Sequence, residues 1–268
     1  MKRIFSIFYL IFSLQISYAN ITICSWNLCD FGQTKSDSEL EFIANTIKEF
    51  DVVAIQEVVA KDPGGAQAIA RLVDALNRKG SKWDYVISDP TSSSAYKAER
   101  YAFIWKTAKI TKIGDPWLER KYNMEIDREP YFINLKTDGN QFTLVNFHAI
   151  TKKMQPETEV KYFKFFPSEY PGLDLVFCGD FNLPQSHTVF NPLKEMGYKS
   201  ILVNQKTSLK QECLNDDCLS SEFDNIFYNS KINFIQSGFI EFYKSFETLK
   251  EARKISDHIP IYFEFSLN

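Results

Sequence analysis

The chain has 268 residues, of which 44% are hydrophobic and 24% charged, and its formal net charge is −3 at pH 7. This hydrophobic content excludes an intrinsically disordered protein, and the length suits one large domain with a substantial core. The negative charge excludes a protein that attracts polyanions through its overall field. Any nucleic-acid partner must therefore be held by a local basic patch or by a metal ion.

The first nineteen residues have the pattern of a secretory signal. Lys2 and Arg3 precede an uncharged apolar stretch at 4–16, and Ser17-Tyr18-Ala19 places small residues where a signal peptidase cuts. The stretch is short for a membrane span, and no second hydrophobic segment follows. We therefore expect a signal peptide at 1–19 and one domain at 20–268, giving a secreted or periplasmic monomer without stable membrane association.

The five cysteines suit an exported protein. Cys213 and Cys218 flank a short polar loop and are predicted to form a disulfide. Cys24 and Cys178 lie in apolar strands, where a buried free thiol is the usual state. No Cys-x-x-Cys spacing is present, so the pattern argues against a thiolate metal site.

Strands and helices alternate up to residue 80. The predicted elements are a strand at 21–25, a helix following Ser38 and Glu41 at capping-box spacing, a strand at 52–55 and a helix at 66–79 that Gly80 ends. Both strands run into polar residues, namely Asn27 after the first and Gln56-Glu57 after the second.

Strands dominate the rest of the chain. We predict strands at 84–88, 101–106, 131–136, 142–148, 175–178, 201–203, 223–228 and 259–265, and helical segments at 157–166, 189–196 and 242–253. Asp138-Gly139-Asn140 predicts a hairpin turn between two of these strands. Two strand-rich halves, each covered by helices, indicate an α/β sandwich.

The segment Leu175-Val176-Phe177-Cys178-Gly179-Asp180-Phe181-Asn182 has an abrupt change from apolar to polar character. Gly179 allows the backbone to turn, so that Asp180 and Asn182 can point the same way at the strand end. An ordinary Asx-turn after a strand would give the same pattern. The segment therefore indicates a functional site only in combination with the other polar residues at strand ends.

Two of the three histidines, His148 and His258, belong to that polar set, while His187 lies in a predicted surface turn. Such a set suits phosphodiester hydrolysis with an oxygen-ligated divalent ion, for which Glu57 is the leading ligand. The imidazoles would transfer protons, and each needs a carboxylate that fixes its tautomer. Asp224 and Glu99 are candidates for that task.

The polar strand ends fall in eight short segments, which are Trp26-Asn27, Gln56-Glu57, Glu99-Arg100-Tyr101, Arg128-Glu129-Pro130, Asn146-Phe147-His148, Gly179-Asp180-Phe181-Asn182, Phe223-Asp224-Asn225 and Ser256-Asp257-His258. In this order they resemble the motifs of the endonuclease/exonuclease/phosphatase superfamily, and its deoxyribonuclease I-like branch in particular. The resemblance spans residues 26 to 258. It implies a four-layer α/β/β/α sandwich of two mixed β-sheets flanked by helices.

The resemblance also implies roles. Glu57 would bind Mg²⁺ or Mn²⁺ with Asn27 and Asp257, and His148 and His258 would be general acid and base in either order. Asp224 would orient His148, and Glu99 would orient His258. Asp180 and Asn182 would position the phosphate and the water. Further residues would contact DNA phosphates, namely Arg128, Tyr96 and Arg100. The products would carry 5′-phosphates.

The chain departs from the family pattern in three places. Val59 stands where deoxyribonuclease I has an arginine that enters the minor groove. Tyr96 is one residue further from Glu99 than in the family, and no cysteine follows Asn182 closely. A structural Ca²⁺ site is conceivable in the loop 215–217, although an exposed acidic turn is the simpler interpretation.

The leading hypothesis is thus an exported, metal-dependent DNA endonuclease with little sequence specificity. Lys152, Lys153, Lys161 and Lys164 offer a basic patch for DNA, or only a solvated loop. The alternative is a phosphodiesterase of the same fold acting on a phospholipid or phosphoinositide, for which the aromatic run at 162–166 is the one candidate membrane contact. A catalytically inactive binding module is disfavoured by the complete set of Glu57, His148 and His258.

Overall fold

The computed structural model describes residues 20–61, 63–93 and 98–267. The predicted signal peptide at 1–19 lies outside these ranges. In chain order the strands are β1 (Ile21–Phe31), β2 (Val52–Val59), β3 (Trp83–Ile87), β4 (Glu99–Lys106), β5 (Thr111–Leu118), β6 (Tyr131–Thr137), β7 (Asn140–His148), β8 (Leu175–Asp180), β9 (Lys199–Ser200), β10 (Leu209–Leu214), β11 (Asp217–Leu219), β12 (Asp224–Tyr228), β13 (Ile232–Phe239) and β14 (Ile261–Leu267).

The helices are short apart from the first two. They are α1 (Asp37–Ile47), α2 (Gly64–Asn77), α3 (Glu157–Val160), α4 (Phe166–Glu169), α5 (Asn191–Glu195) and α6 (Leu249–Ile255). Single 3₁₀ turns lie at Lys152–Met154, Phe163–Phe165, Thr188–Phe190 and Phe242–Ser245. None of the helices in the described ranges combines the length and apolar character needed to cross a bilayer.

Two six-stranded mixed sheets form the centre of the molecule. The first has the order β13-β14-β1-β2-β4-β3 and the second β5-β6-β7-β8-β12-β9. Three apolar cores separate four layers: one lies between the first sheet and α1, α2 and α6, one between the sheets, and one between the second sheet and the segments from α3 to α5. This arrangement confirms the predicted four-layer sandwich.

Each sheet has one parallel pair at its centre, and both pairs point their carboxyl ends the same way. In the first sheet β1 runs parallel to β2, with Asn27 beside Gln56. In the second sheet β7 runs parallel to β8, with His148 beside Asp180. Because parallel strands end at the same edge of a sheet, four polar strand ends meet there.

Local signals explain the elements that the sequence predicted correctly. The predicted helix after residue 38 exists as α1, but its capping box is Ser36 with Glu39 and not Ser38 with Glu41. Ser36 Oγ accepts from the Glu39 amide at 3.3 Å, while Glu39 Oε2 accepts from the Ser36 amide at 2.7 Å. The predicted hairpin is confirmed, since Asp138 and Gly139 join β6 to β7 with positive φ values of 45° and 90°.

Three of the four edge strands were missed or misplaced, whereas β3, predicted at 84–88, is present at Trp83–Ile87. The most exposed strands of the two sheets, β5 and β13, lack the apolar alternation that reveals a buried strand. The strand predicted at 201–203 is instead the two-residue β9 at Lys199–Ser200. The helix predicted at 157–166 is broken into α3, a 3₁₀ turn and α4, because Pro167 lacks the N–H that a continuous helix requires and starts a new one.

The predicted disulfide between Cys213 and Cys218 is present and closes the β10–β11 hairpin, while Cys24 and Cys178 are buried free thiols, as expected. Asn215 and Asp216 form the hairpin turn with positive φ values of 50° and 64°. Asp217 accepts from Lys206 and Lys210 at 3.0 and 2.9 Å, and these bonds lower its pKa to about 2. The loop is therefore a tight turn whose carboxylate already has cationic partners.

Candidate active site

A cavity of about 570 Å³ opens at the carboxyl ends of the two central strand pairs. The predicted site residues in its wall are Glu57, Glu99, Arg128, His148, Asp180, Asn182, Asp257 and His258. Asn27 and Asp224 are buried directly behind this wall and contact it through hydrogen bonds. The structure thus brings the predicted catalytic and metal-binding residues into one place.

His148, at the end of β7, is buried with a fixed ring orientation. Its Nδ1 lies 2.9 and 3.0 Å from the two carboxylate oxygens of Glu99, to which it donates. This contact leaves Nε2 directed into the cavity, 3.5 Å from Asp180 Oδ2 and 3.9 Å from Glu57 Oε1. A carboxylate on Nδ1 selects the tautomer whose Nε2 can exchange a proton with a bound molecule.

His258 has the same arrangement on the other side of the cavity. Its Nδ1 donates to Asp224 Oδ2 at 2.7 Å, and its Nε2 lies 3.6 Å from Asp180 Oδ2. The backbone is held as well, because Trp26 Nε1 donates to the His258 carbonyl at 2.7 Å. Both imidazoles therefore direct Nε2 toward one carboxylate, that of Asp180.

The pairing of histidines and carboxylates is the reverse of the one expected. Asp224 orients His258 and not His148, and Glu99 orients His148 and not His258. The reason is topological. Each pair crosses between the sheets, since Glu99 begins β4 of the first sheet while His148 ends β7 of the second. The Asp224–His258 pair crosses in the opposite direction.

The charges of this group stabilise one another. Burial alone would lower the pKa of His258, but the carboxylates of Asp224 and Asp180 outweigh it and raise the pKa to about 10. Burial likewise opposes the charged form of His148, whose pKa is raised by Glu99. Burial would raise the pKa of Asp180, yet the two imidazoles hold it below its ordinary value. The carboxylates around both imidazoles therefore favour their charged forms.

Glu57 is the exposed member of the group, with a side chain that is 25% accessible. Its φ of 59° lies in the left-handed region, and the β2 register against β4 shifts between Ile55 and Val58. A bulge of this kind redirects a side chain at a strand end, and the strained backbone is held by its surroundings. It turns the Glu57 carboxylate toward the cavity.

Asn27 joins the two carboxylates at the base of the cavity. Its Nδ2 donates to Glu57 Oε1 at 2.8 Å and to Asp180 Oδ2 at 3.2 Å, while its Oδ1 accepts from the Cys29 amide at 3.0 Å. To ligate a metal ion, as predicted, the carboxamide would have to rotate by half a turn. In the orientation found, Asn27 fixes the spacing of Glu57 and Asp180.

The donor set fits a hard divalent cation. Glu57 and Asp257 present carboxylate oxygens to the cavity, and in the described ranges no lysine or arginine neutralises Glu57. Asp257 is held by Arg253 at 3.3 Å. A second possible ligand set, with atoms within 4.8 Å of one another, is Asp180, Asp224 and His258. Since the His258–Asp224 hydrogen bond would be lost there, the site around Glu57 is the better fit.

Asp180 and Asn182 owe their positions to the turn predicted at Gly179. Gly179 has a φ of 137°, and a Cβ atom there would lie 1.9 Å from the Phe147 carbonyl oxygen. Only glycine allows β7 and β8 to approach so closely. Asn182, with a φ of 52°, donates from its amide to Asp180 Oδ1 at 2.9 Å and from Nδ2 to the Ala149 carbonyl at 3.0 Å.

The predicted phosphate contacts differ in their surroundings. Arg128 lines the cavity, but it is largely buried, donates to the carbonyls of His148 and Ala149 and lies 3.5 Å from Glu99. Arg100 donates to the carbonyls of Ala60 and Ser88 and does not line the cavity. Tyr96 lies outside the described residues. Both arginines thus support the backbone around the site.

Several supporting residues have no predicted role. Gln56 Nε2 donates to Asn146 Oδ1 at 2.5 Å, and Asn146 Nδ2 donates to the Ile55 carbonyl at 3.0 Å, so this amide pair joins the two sheets. Both residues belong to polar segments that were identified from the sequence, but neither was given a role there. Thr207 Oγ1 donates to Asp224 Oδ2 at 2.6 Å from an unpatterned loop, for which no signal exists. His187, as expected, lies elsewhere and caps a 3₁₀ turn.

Comparison with known proteins gives a consistent result. A deoxyribonuclease from Thioalkalivibrio sp. (strain K90mix) is 24% identical over 288 residues, covering 98% of this chain and 76% of that protein. Human deoxyribonuclease gamma is 23% identical over 273 residues, covering 90% and 85%. An endonuclease/exonuclease/phosphatase family protein from Bacteroides thetaiotaomicron superposes with a TM-score of 0.67 at 18% identity, covering 94% and 99%. No family model matches.

Proposed function

Because the chain belongs to the endonuclease/exonuclease/phosphatase superfamily and has deoxyribonucleases among its relatives, we propose that it is an exported, metal-dependent DNA endonuclease with little sequence specificity. The observation that carries this proposal is the pair of carboxylate-held imidazoles, each within 3.6 Å of Asp180, in one cavity with Glu57. Two proton-transfer groups beside a cation site are what hydrolysis of a phosphodiester requires.

The cation would be held by Glu57 and Asp257, with Asn27 setting the position of Glu57. When bound, Mg²⁺ or Mn²⁺ would neutralise charge on the phosphate oxygens. Oxygen ligands favour these hard ions over softer metals.

The histidines would transfer the two protons of the reaction. One Nε2 accepts a proton from water as the water oxygen bonds to phosphorus, and the other donates a proton to the 3′-oxygen as the phosphorus–oxygen bond breaks. The products are then a 5′-phosphate and a 3′-hydroxyl. Asp180 stabilises both imidazolium states, and Asn182 helps to place the water or phosphate beside it.

The aromatic run at 162–166 gives little support for a phospholipid substrate. A lipid-directed enzyme would need an exposed apolar element, and the candidate was the aromatic run at 162–166. Within that run Phe163 and Phe166 are buried in the core, while Phe165 is 39% exposed. This run therefore contributes more to the fold than to a membrane contact.

Export is supported by the Cys213–Cys218 disulfide, since such bonds persist in oxidising compartments. We infer that residues 1–19 are removed after Ala19 and that the enzyme acts as a monomer in the periplasm or the medium.

Nicking of supercoiled plasmid tests the proposal directly. We expect nicking with Mg²⁺, none with EDTA, and a rate lower by roughly 10²–10⁴-fold in His258→Ala. His187→Ala is the matched control, because His187 lies outside the cavity and its loss should leave nicking unchanged. Plasmid that stays intact in every condition, with folded protein, would refute the DNA substrate.

A further inference from the structure

A cluster of aromatic and lysine side chains lies on the outer face of the second sheet's helical layer. Tyr122, Tyr162 and Phe165 contact one another, with ring centroids 5.0 to 6.2 Å apart. Lys161 Nζ lies 5.2 Å from the Tyr162 ring centroid, and Lys164 Nζ lies 4.9 Å from that of Phe165. We call these five residues the aromatic–lysine surface.

A second cavity of about 450 Å³ lies beside the catalytic cavity and is lined by Met124, two residues from Tyr122 of this surface. Asp127, Ile150 and Met154 line both cavities, so the two are adjacent. Met154 is 56% exposed, and Met124, which lines the second cavity, is 89% exposed. Met124 belongs to the turn that begins at Tyr122, and that turn leads to the aromatic–lysine surface.

The exposed thioethers and the exposed Phe165 ring suit unstacked nucleobases, while Tyr122 and Tyr162 are half-buried beside Phe165. Methionine sulfur is polarisable and packs against the face or edge of a ring. Aromatic side chains stack on any base, whereas the bases of a duplex are already stacked and paired. The exposed apolar side chains here therefore suit single-stranded nucleic acid better than a duplex.

Lysine side chains on and beside this surface can contact a phosphate backbone. In the described part of the chain Lys161 and Lys164 make no ion pair, and the exposed Lys152 and Lys153 follow Ile150. Carboxylates also lie in this region: Glu125, Asp127 and Glu159 line the second cavity, Glu157 begins α3 and Glu169 ends α4. Glu159 is buried and accepts from the amides of Asp127 and Ile150, and Glu169 is paired with Lys121.

Position 59 is occupied by valine, whereas a long cationic side chain there would favour duplex binding. The valine side chain lies at the cavity wall, packed against Gly32, where an added Cβ would lie 2.8 Å from Val59 Cγ2. A valine in this position cannot reach into a groove as a long cationic side chain would. At position 59 itself the cavity wall is therefore apolar, and the cationic residue on this side of the cavity is Lys61.

We propose that the substrate strand leaves the catalytic cavity as single-stranded nucleic acid, passes Met154 and Met124, and binds across the aromatic–lysine surface. This inference rests on the proposed nuclease function and specifies that the substrate is single-stranded. The catalytic site then cuts unpaired segments, or strands that are locally opened, in preference to intact duplex.

Binding can be measured separately from cutting. Fluorescence anisotropy with a roughly 12-nucleotide single strand, in EDTA, gives an affinity that needs no catalysis. We expect Phe165→Ala to weaken binding about tenfold. Phe234→Ala is the matched control, since Phe234 is similarly exposed on β13 of the other sheet and should leave the affinity unchanged. Equal affinities for parent and Phe165→Ala would overturn the proposal.

The lysines provide a second test that does not depend on packing. Changing Lys161→Gln and Lys164→Gln together should reduce the slope of log affinity against log salt by about 0.7 for each phosphate that a lysine no longer neutralises. Lys250→Gln, on α6 in the opposite outer layer, should not change the slope. Tighter binding to a hairpin duplex, or to anionic phospholipid vesicles, than to the single strand would also overturn the proposal, whatever the plasmid assay shows.

Discussion

The two central strand pairs end differently, although each sheet has a parallel pair in the same place. In the first sheet the β1–β2 register shifts after Asn27, and φ is positive at Cys29, Asp30 and Glu57. In the second sheet the β7–β8 register is continuous up to His148 and Asp180. The irregular end of β2 directs the partly exposed Glu57 into the cavity, whereas the regular ends of β7 and β8 fix the buried His148 and Asp180 in close packing.

The largest expected effects are on the rate of hydrolysis, and they distinguish the roles of His148 and His258. On DNA, His148→Ala and His258→Ala should each lower the rate roughly 10²–10⁴-fold, because one proton transfer is lost. On a p-nitrophenyl phosphodiester the leaving group needs no proton, so the variant lacking the general acid should recover most of the activity. Steady-state rates on both substrates identify the acid. Equal losses in both variants on both substrates would show that the roles are not divided.

A smaller effect should mark Glu57 as a metal ligand. Glu57→Gln should raise the Mg²⁺ concentration for half-maximal nicking about 10- to 100-fold, since a carboxylate ligand is lost. Asp30→Asn makes the same change in charge at a neighbouring cavity residue and keeps the amide that donates to Glu57 at 3.1 Å. If both variants shift the metal titration equally, charge and not ligation explains it.

Protonation of the buried His258 should change the stability of the protein. The pKa of His258 is raised to about 10, so its stabilising contribution is complete below its ordinary pKa, near 6.5, and is lost as pH rises through the raised value. Urea unfolding in EDTA should therefore show the difference between parent and His258→Gln shrinking between about pH 6 and pH 10. A difference that stays constant over this range would contradict the assignment.

The smallest expected effect is on stability and comes from backbone strain at Glu57, at the end of β2 in the first sheet. At the φ of 59° found for Glu57, glycine costs less than any L-residue, so Glu57→Gly should be more stable than Glu57→Ala by about 1 kcal/mol. Ala54→Gly, in the regular part of β2, should be destabilising as glycine usually is in a strand. Chemical denaturation in EDTA measures both, and a Glu57→Ala variant that matches or exceeds the glycine variant would argue against strain.

The sequence was informative where polar side chains at strand ends line the candidate active site. Buried runs such as 175–178 have a clear apolar pattern, and the polar residues that end them indicate the site before any contact is known. The exposed edge strands β5 and β13 have no such pattern, so their existence depends on pairing with a neighbour.

Contacts between distant residues could not be predicted in the same way. The partners of His148 and His258 depend on which strands face each other across the two sheets, and residue spacing carries no such information. The hydroxyl of Thr207, which supports Asp224, comes from a loop whose position is set by the strands that flank it. Sequence order therefore identified the members of the site but not their pairing.

The crossed pairing limits how the protein can be recombined. Glu99 of the first sheet serves a histidine of the second, Asp224 of the second serves a histidine associated with the first, and Gln56 and Asn146 join the sheets between them. A chimera that takes one sheet from this chain and the other from a relative inherits half of each pair. A chimera can keep the site only if the carboxylates, histidines and amides of the two sheets all match. Both sheets must therefore come from the same parent protein, or from parents that share all of these residues.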